Sequence, residues 1–174
     1  FIFNVLGTLR GLCRENPEQA WRGLGDFSNY LRGNMNALTN AKFIPFETEL
    51  RHVEAYLRLE QMRMCENLSI VYDIQEKDFM IPPLTIQPLV ENAILHGLDH
   101  TRNKEKLLSI SGFLLGDTLV FRVADNGSGI TPRELENILS KDAKGYGIKN
   151  IHQRIQIMYG SQYGLSYQSV INEG

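Results

Sequence analysis

Cysteine is nearly missing from this chain: Cys13 and Cys65 are the only two among 174 residues. They fit neither a disulfide framework nor a short-spaced metal site, and read as small buried hydrophobes in a reducing compartment. No stretch approaches the ~20 consecutive apolar residues of a membrane-spanning helix, and no signal-peptide pattern opens the sequence. Charge of one sign is lacking too. A formal net charge of −2 provides no basic field for a nucleic-acid backbone, which argues against that partner and leaves any bound anion to a local site. Internal repeats and low-complexity segments are absent. What is there is ordinary: 43% apolar and 22% charged residues, the balance of a soluble globular protein. The length suits one domain, alone or with a helical appendage. Both ends read as cut. "FIFNVLGTLRGL" begins inside an apolar pattern with no capping residue, and "GLSYQSVINEG" stops where a strand and turn should lead onward, so a longer protein is expected.

Residues 1–66 carry helical periodicity. Val5, Leu6, Leu9 and Leu12 mark a first helix. "ENPEQA" interrupts it, with Pro17 suited to the first turn of a second helix, whose stripe is Trp21, Leu24, Phe27 and Leu31. Trp21 is expected in the core of this hairpin. A hairpin of this size buries little alone and calls for a partner, most simply a second copy. After the linker "NALTNAKFIP", Leu50, Val53, Leu57 and Met64 share one face of a third helix, on which His52 reads as a solvated residue.

From residue 67 the period changes. Leu68, Ile70, Tyr72 and Ile74 alternate as a strand, and "PPLTIQPLVENAILHG" follows as a helix. "KLLSISGFLL" and "TLVFRVAD" form a hairpin turning at Gly116-Asp117. Thr131, Pro132 and Glu134 make a capping box for a short helix. "GYGIKNIHQRIQIMYG" is another helix and "GLSYQSVI" a last strand. The pattern is α+β: a helical hairpin, then a layered sandwich with a mixed sheet covered on one face by helices.

Three stretches carry chemistry. In "ADNGSGI", Asp125 ends an apolar strand, so its partly buried carboxylate wants a dedicated donor. Gly127 and Gly129 allow positive φ and close approach of a flat ligand. A carboxylate behind a glycine floor suits the exocyclic amine of adenine, whereas guanine would set acceptor against acceptor, a mismatch that can reach about 10⁴-fold. Asp-Asn-Gly is equally good turn chemistry. In "KGYGIKNI", Gly145 and Gly147 open a helix whose free N–H groups attract phosphate, beside Lys144 and Lys149. In "PLVENAILHG", Asn92 offers a neutral oxygen to a Mg²⁺ ion already carried by nucleotide phosphates. Glu91 could hold a metal-bound water or act as a base. His96, at i+4 from Asn92, shares its edge, and reads equally as a helix cap before Gly97. His100, Arg102 and Lys104 lie in a charged connector, and His152 reads as structural or exposed.

The order of "PLVENAILHG", "DNGSGI" and "GYGIKNIHQRI" resembles the N, G1 and G2 boxes of histidine kinases with the GHKL (gyrase, heat-shock chaperone, kinase, mismatch-repair) ATP-binding fold. "FIFNVLGTLRGL", "FSNYLRGNM" and "FETELRHVEAYLRLEQMRM" resemble the phosphoacceptor region of LytS-type sensor histidine kinases. The resemblance implies three parts: a partial dimerisation and phosphotransfer hairpin (1–40), a connecting helix packing on the ATPase domain (41–66), and a GHKL catalytic domain with its C-terminal strand truncated (67–174). It implies ATP and Mg²⁺ as ligands, with Asn92 on the metal and Asp125 on the adenine amine. Gly127, Gly129 and Ile130 would shape the base pocket. Lys144, Gly145, Gly147, Ile148 and His96 would approach the phosphates, and residues 131–144 would form a short lid.

The implied reaction is phosphoryl transfer to a histidine and then to the aspartate of a response-regulator receiver domain, by a homodimer joined through its N-terminal helices. The intact protein would act at the cytoplasmic side of a membrane, this part being soluble and free of direct membrane contact. Two departures stand out. Leu95 occupies a position where the family often has a phosphate-reaching lysine. The phosphorylated histidine of the family pattern falls directly before Phe1, one turn from Asn4, which could orient it. This chain alone is therefore expected to bind Mg·ATP without phosphorylating itself. Two alternatives remain: a non-catalytic nucleotide-binding dimerisation module, and a GHKL protein-serine kinase of anti-sigma type, against which the helical hairpin argues.

Overall fold

A computed structural model describes residues 1–37, 42–64, 67–101, 105–132, 134 and 146–171. Helix α1 (Ile2–Glu15) and helix α2 (Pro17–Ala37) are separated by Asn16 alone. The Asn16 side chain accepts from the Gln19 N–H at 3.1 Å. Pro17 takes the first helical position as expected, and Asn16 caps α2 beside it.

The inner stripe of α2 differs from the expected one. Trp21 is 75% exposed, while Ala20 is buried. A methyl added at Gly23 would collide with Leu9 and approach Met62 Sδ to 3.0 Å. Small residues let α1 and α3 come close to α2, and this turns the indole outward. His52 departs from expectation in the opposite sense. It is half-buried against Gly33, where an added methyl would lie 2.7 Å from its ring, and that burial lowers its pKa.

Helix α3 (Phe46–Arg63) buries Phe46, Leu50, Val53 and Leu57, the spacing of a helix with one apolar face. It gives the hairpin a partner within the same chain: Leu59 packs with Val5 and Leu9, and Arg58 makes a bidentate pair with Asp26 of α2 at 2.8–3.0 Å. Outside these contacts Phe3 (89%) and Met35 (70%) remain exposed, as does Trp21. Two short strands, β1 (Ile44–Pro45) and β3 (Met80–Ile81), pair antiparallel at the foot of α3, where Phe46 stacks on Phe79 at 4.7 Å.

The main sheet has the order β2-β4-β5, formed by Leu68–Ile74, Lys106–Leu115 and Thr118–Asp125. Strands β2 and β4 are parallel, β4 and β5 antiparallel, so the sheet is mixed. The hairpin closes through Gly116-Asp117 with Gly116 at φ +60, a conformation glycine adopts without a Cβ clash. One face of the sheet, with Leu108 and Ile110, packs under α3 and helix α4 (Gln87–Asn92) in the main core. On the other, Leu107 is exposed. α4 continues as a wide turn, Ala93–Leu98, with i→i+5 bonding. Helix α5 (Tyr146–Tyr159) begins within the second glycine-rich stretch.

The capping box forms: the Glu134 carboxylate accepts from the Thr131 N–H at 2.9 Å, and the Glu134 N–H donates to Thr131 Oγ1 at 3.3 Å. The strand expected from Gly164 does not join a ladder among the described residues. Side chains hold this segment instead, with Leu165 N–H donating to His152 Nδ1 at 3.0 Å and Ile130 N–H to Ser169 Oγ at 2.9 Å. Among the described residues no helix is long and apolar enough to cross a membrane.

Candidate functional site

β5 delivers Asp125 to the edge of the sheet because Asn126 stops the strand there. Its side chain accepts from Leu107 N–H at 2.8 Å and donates to Glu105 O at 2.9 Å, tying the end of β5 to the start of β4. Asp125 Oδ1 accepts from the Gly127 N–H at 2.9 Å. Burial pushes the Asp125 carboxyl above its ordinary range, partly offset by that N–H.

The N-terminal glycine-rich stretch and the end of the α4 turn meet here. Ser128 N–H donates to Gly97 O at 3.2 Å, and Ser128 Oγ to His96 O at 3.3 Å. A methyl at Gly97 would lie on the Asp125 carboxylate, and one at Gly127 would strike Gly97 O. Gly97 therefore does not end a helix. The turn runs through it to a C-cap at Asp99, whose N–H donates to Ile94 O at 2.8 Å, and glycine is required there for close approach. Gly129, at φ +65, passes against the backbone of Val170 and Ile171, and Ile130 is the residue anchored to Ser169.

Glu91 and Asn92 end α4 and are both half-buried. Glu91 faces the hairpin: its Oε1 accepts from Gln87 Nε2 at 2.8 Å and Tyr30 Oη at 3.4 Å. Burial and then the Glu91 charge push the Tyr30 phenol up to about 12. Phe1 packs on the Tyr30 ring at 4.8 Å, so the start of α1 reaches the N-box helix through one aromatic ring. The Asn92 side chain makes no hydrogen bond to a described residue, leaving its carbonyl oxygen available to a hard cation. His96 is exposed next to Leu95, which is 42% exposed. Asn4 is exposed on α1, and its backbone carbonyl accepts from Thr8 Oγ1 at 3.1 Å.

At the head of α5 Gly147 is exposed with open space around it, and Ile148 is half-buried. Lys144 and Gly145 lie outside the described residues. Two charged residues with no role in the sequence reading bind the head of α4: Glu49 accepts four backbone N–H groups there, and Arg154 of α5 grips the same turn. Glu49 falls on the face of Phe46, Leu50 and Val53. A carboxylate inside an apolar stripe was the available signal for it. A groove of about 340 Å³ between α3 and β2, lined by Glu54, Arg58 and Tyr72 among others, includes none of the candidate site residues.

An amide oxygen without a hydrogen-bond partner among the described residues and a carboxylate behind a glycine floor fit a metal-nucleotide pair in donor type. Among the described residues, no cluster of three or more His, Cys, Asp or Glu side chains is arranged to hold a metal by itself. Such an ion would come with its phosphates.

A mixed sheet under helices, joined to a helical hairpin, is the architecture of a histidine-kinase catalytic region. The fold is similar to the catalytic domain of the histidine kinase ThkA, with a TM-score of 0.52 and 15% identity, covering 68% of this chain and 80% of that one. The chain belongs to the family of histidine kinase-, DNA gyrase B-, and HSP90-like ATPases, which matches residues 82–170; the histidine kinase family matches residues 1–68. It is 36% identical over 168 residues to YwpD, an uncharacterised protein of Bacillus subtilis, covering 95% of this chain and 60% of that protein. It is 36% identical to the sensor histidine kinase YpdA of Escherichia coli (92% and 28% covered). With the sensor protein LytS of Staphylococcus haemolyticus identity is 35% (97% and 30% covered). The chain thus spans 60% of the first relative's length and less than a third of the other two.

Proposed function

We propose that the chain is the ATP-binding and dimerising part of a sensor histidine kinase, divided at residues 1–40, 41–66 and 67–174 as hairpin, connecting helix and catalytic domain. The observation that carries this reading is the convergence of Asp125, Gly127 and Gly97, with Asn92 on the same helical run as Gly97. Asp125 accepts from the adenine amine through the oxygen that Gly127 leaves free. Gly127, Gly129 and Ile130 shape the floor for the base.

At the other end of the nucleotide, Asn92 holds Mg²⁺, while His96, Lys144, Gly145, Gly147 and Ile148 border the phosphates. The ion supplies charge neutralisation on the phosphates; the work of the chain is positioning. Glu91, fixed by Gln87 and Tyr30, orients water or takes a proton near Asn92. The acceptor histidine directly precedes Phe1 in the longer protein, with Asn4 one turn on. Its phosphoryl group passes to a receiver-domain aspartate. A homodimer forms through the hairpin, on which Phe3, Trp21 and Met35 are exposed, and the longer protein works at the cytoplasmic side of a membrane. By itself this chain binds Mg·ATP and does not label itself.

Leu95, an exposed leucine beside His96, favours a second reading: a nucleotide-binding module without kinase activity. Incubating the chain extended through the preceding histidine with γ-labelled ATP separates the two. Acid-labile label identifies a kinase and binding without label a module, while acid-stable label on a partner serine indicates the anti-sigma type. No binding of a fluorescent ATP analogue at high micromolar concentration refutes all three.

A further inference from the structure

One buried carboxylate takes the place of an N-cap for the helix that carries Asn92. The first turn of a helix leaves its N–H groups without partners inside the helix, and Ile86, at the N-cap of α4, has no side-chain acceptor to offer. Glu49, fully buried on α3, answers them from 38 residues earlier in sequence. Its Oε1 accepts from Thr85 N–H at 2.8 Å, Ile86 N–H at 3.0 Å and Gln87 N–H at 3.2 Å, and its Oε2 from Leu84 N–H at 2.9 Å. Hydrogen bonds to an ionised acceptor are the strong kind.

The same turn is gripped again from α5. Arg154 Nη2 donates to Leu84 O at 2.8 Å and to Thr85 Oγ1 at 3.1 Å, and Thr85 Oγ1 donates onward to Pro82 O at 2.6 Å. Leu84 sits at φ +54, unusual for a residue with a Cβ. Such a conformation costs about 1 kcal/mol or more and persists only where the surroundings over-determine it. Here they do. Burial works against the Arg154 charge and the Glu49 charge works for it.

We propose that Glu49 and Arg154 are positioning residues of the nucleotide site, locking the head of α4 to α3 and to α5 so that Asn92 stands in a fixed place against the phosphate-facing head of α5. This rests on the nucleotide reading above. Asp125 belongs to β5 and is braced separately by Asn126 and Gly127, so the clamp acts on the metal end of the site more than on the base end.

The test is titration of the whole chain with a fluorescent ATP analogue, with and without Mg²⁺, comparing Arg154→Lys with the unsubstituted protein. Lysine keeps the charge but lacks the planar fork. The expected result is a loss of about tenfold in the affinity gained from Mg²⁺, with Mg²⁺-free affinity unchanged within about threefold, in line with one charge-assisted contact removed. Equal losses in both conditions, or none in either, overturn the proposal and leave the contacts as fold stabilisation only.

Hydrogen exchange of the nucleotide-free protein tests the clamp without any ligand. Leu84, Thr85, Ile86 and Gln87 amides are expected to be protected; in Glu49→Gln the single amide oxygen can keep the three Oε1 donors, so protection is lost at Leu84, where the NH₂ meets an N–H. Should Glu49→Gln fail to fold, Arg154→Lys still decides the matter. Fast exchange at these amides in the unsubstituted chain overturns the clamp, whereas failure of the unsubstituted chain to bind nucleotide, with the amides protected, overturns the nucleotide reading and the site role with it.

Discussion

Gly97 makes room for Asp125: a methyl on Gly97 would lie 2.7 Å from the Asp125 Cγ and closer still to Oδ1. The glycine belongs to the helix of the N box and the carboxylate to the strand before the first glycine pair, so the two motifs share one void. Gly97→Ala is expected to destabilise the fold by about 1–3 kcal/mol through overpacking. It should also displace the carboxylate, costing ATP affinity beyond what the loss of folded protein explains. Urea unfolding alongside a nucleotide titration at a temperature where the variant is folded checks both.

Asp125→Asn should lose roughly tenfold or more in ATP affinity, as expected for one buried donor left unsatisfied. A carboxylate can accept from Gly127 N–H with one oxygen and from adenine with the other; an amide has one acceptor oxygen and must turn its NH₂ toward one of those donors. The carboxyl is raised by burial, so its charge is lost on acidification sooner than that of an exposed aspartate. ATP affinity of the unsubstituted chain should therefore fall as pH drops through that raised range, and Asp125→Asn should flatten the dependence. Calorimetric titrations from pH 7 downward, stopping short of acid unfolding, provide the measurement.

Asn92→Ala removes a half-buried side chain that makes no hydrogen bond to a described residue, so its effect on stability should stay within about 0.5 kcal/mol. Mg²⁺-dependent ATP affinity is expected to drop while binding without the ion is spared. Equal binding in both conditions for the unsubstituted chain would remove the metal role from Asn92.

Arg63 joins the end of α3 to the segment after the wide turn. It pairs with Glu60, 1% exposed, and with Asp99 just after the wide turn, at 2.6 Å each. Burial raises the Glu60 carboxyl and Arg63 opposes that rise. Arg63→Met leaves a buried carboxylate without its partner, and a loss of roughly 3 kcal/mol in denaturant unfolding is expected. Glu60→Gln added to it should recover part of that loss, since the uncompensated charge is what costs most.

Where local chemistry alone decides the backbone, the sequence was legible: Pro17 in the first turn of α2, the Gly116-Asp117 turn, and the Thr131–Glu134 capping box all form as read. The α+β architecture followed from the change of period at residue 67. Trp21 misled because periodicity cannot say which of two faces meets a neighbour, and the glycine at position 23 settles it through contact with Leu9 and Met62. The segment from Gly164 has strand-like alternation, yet its backbone is held by His152 and Ser169 side chains rather than a ladder. Asp125 and the glycines were visible as a group because they are adjacent in sequence. Glu49 was signalled only by its place among Phe46, Leu50 and Val53, which says that it is buried but not what it meets; Arg154 carried no signal, because the turn it grips comes from elsewhere in the chain.

The wide turn at Ala93–Leu98 holds one more residue than an α-helical turn would over the same rise. Each residue advances a helix by about 100°, so shortening this stretch by one would swing Gly97 away from Asp125 and bring a side chain into its place. Single-residue deletions here should thus behave like point lesions in the base pocket, whereas trimming a surface loop of equal length would pass unnoticed.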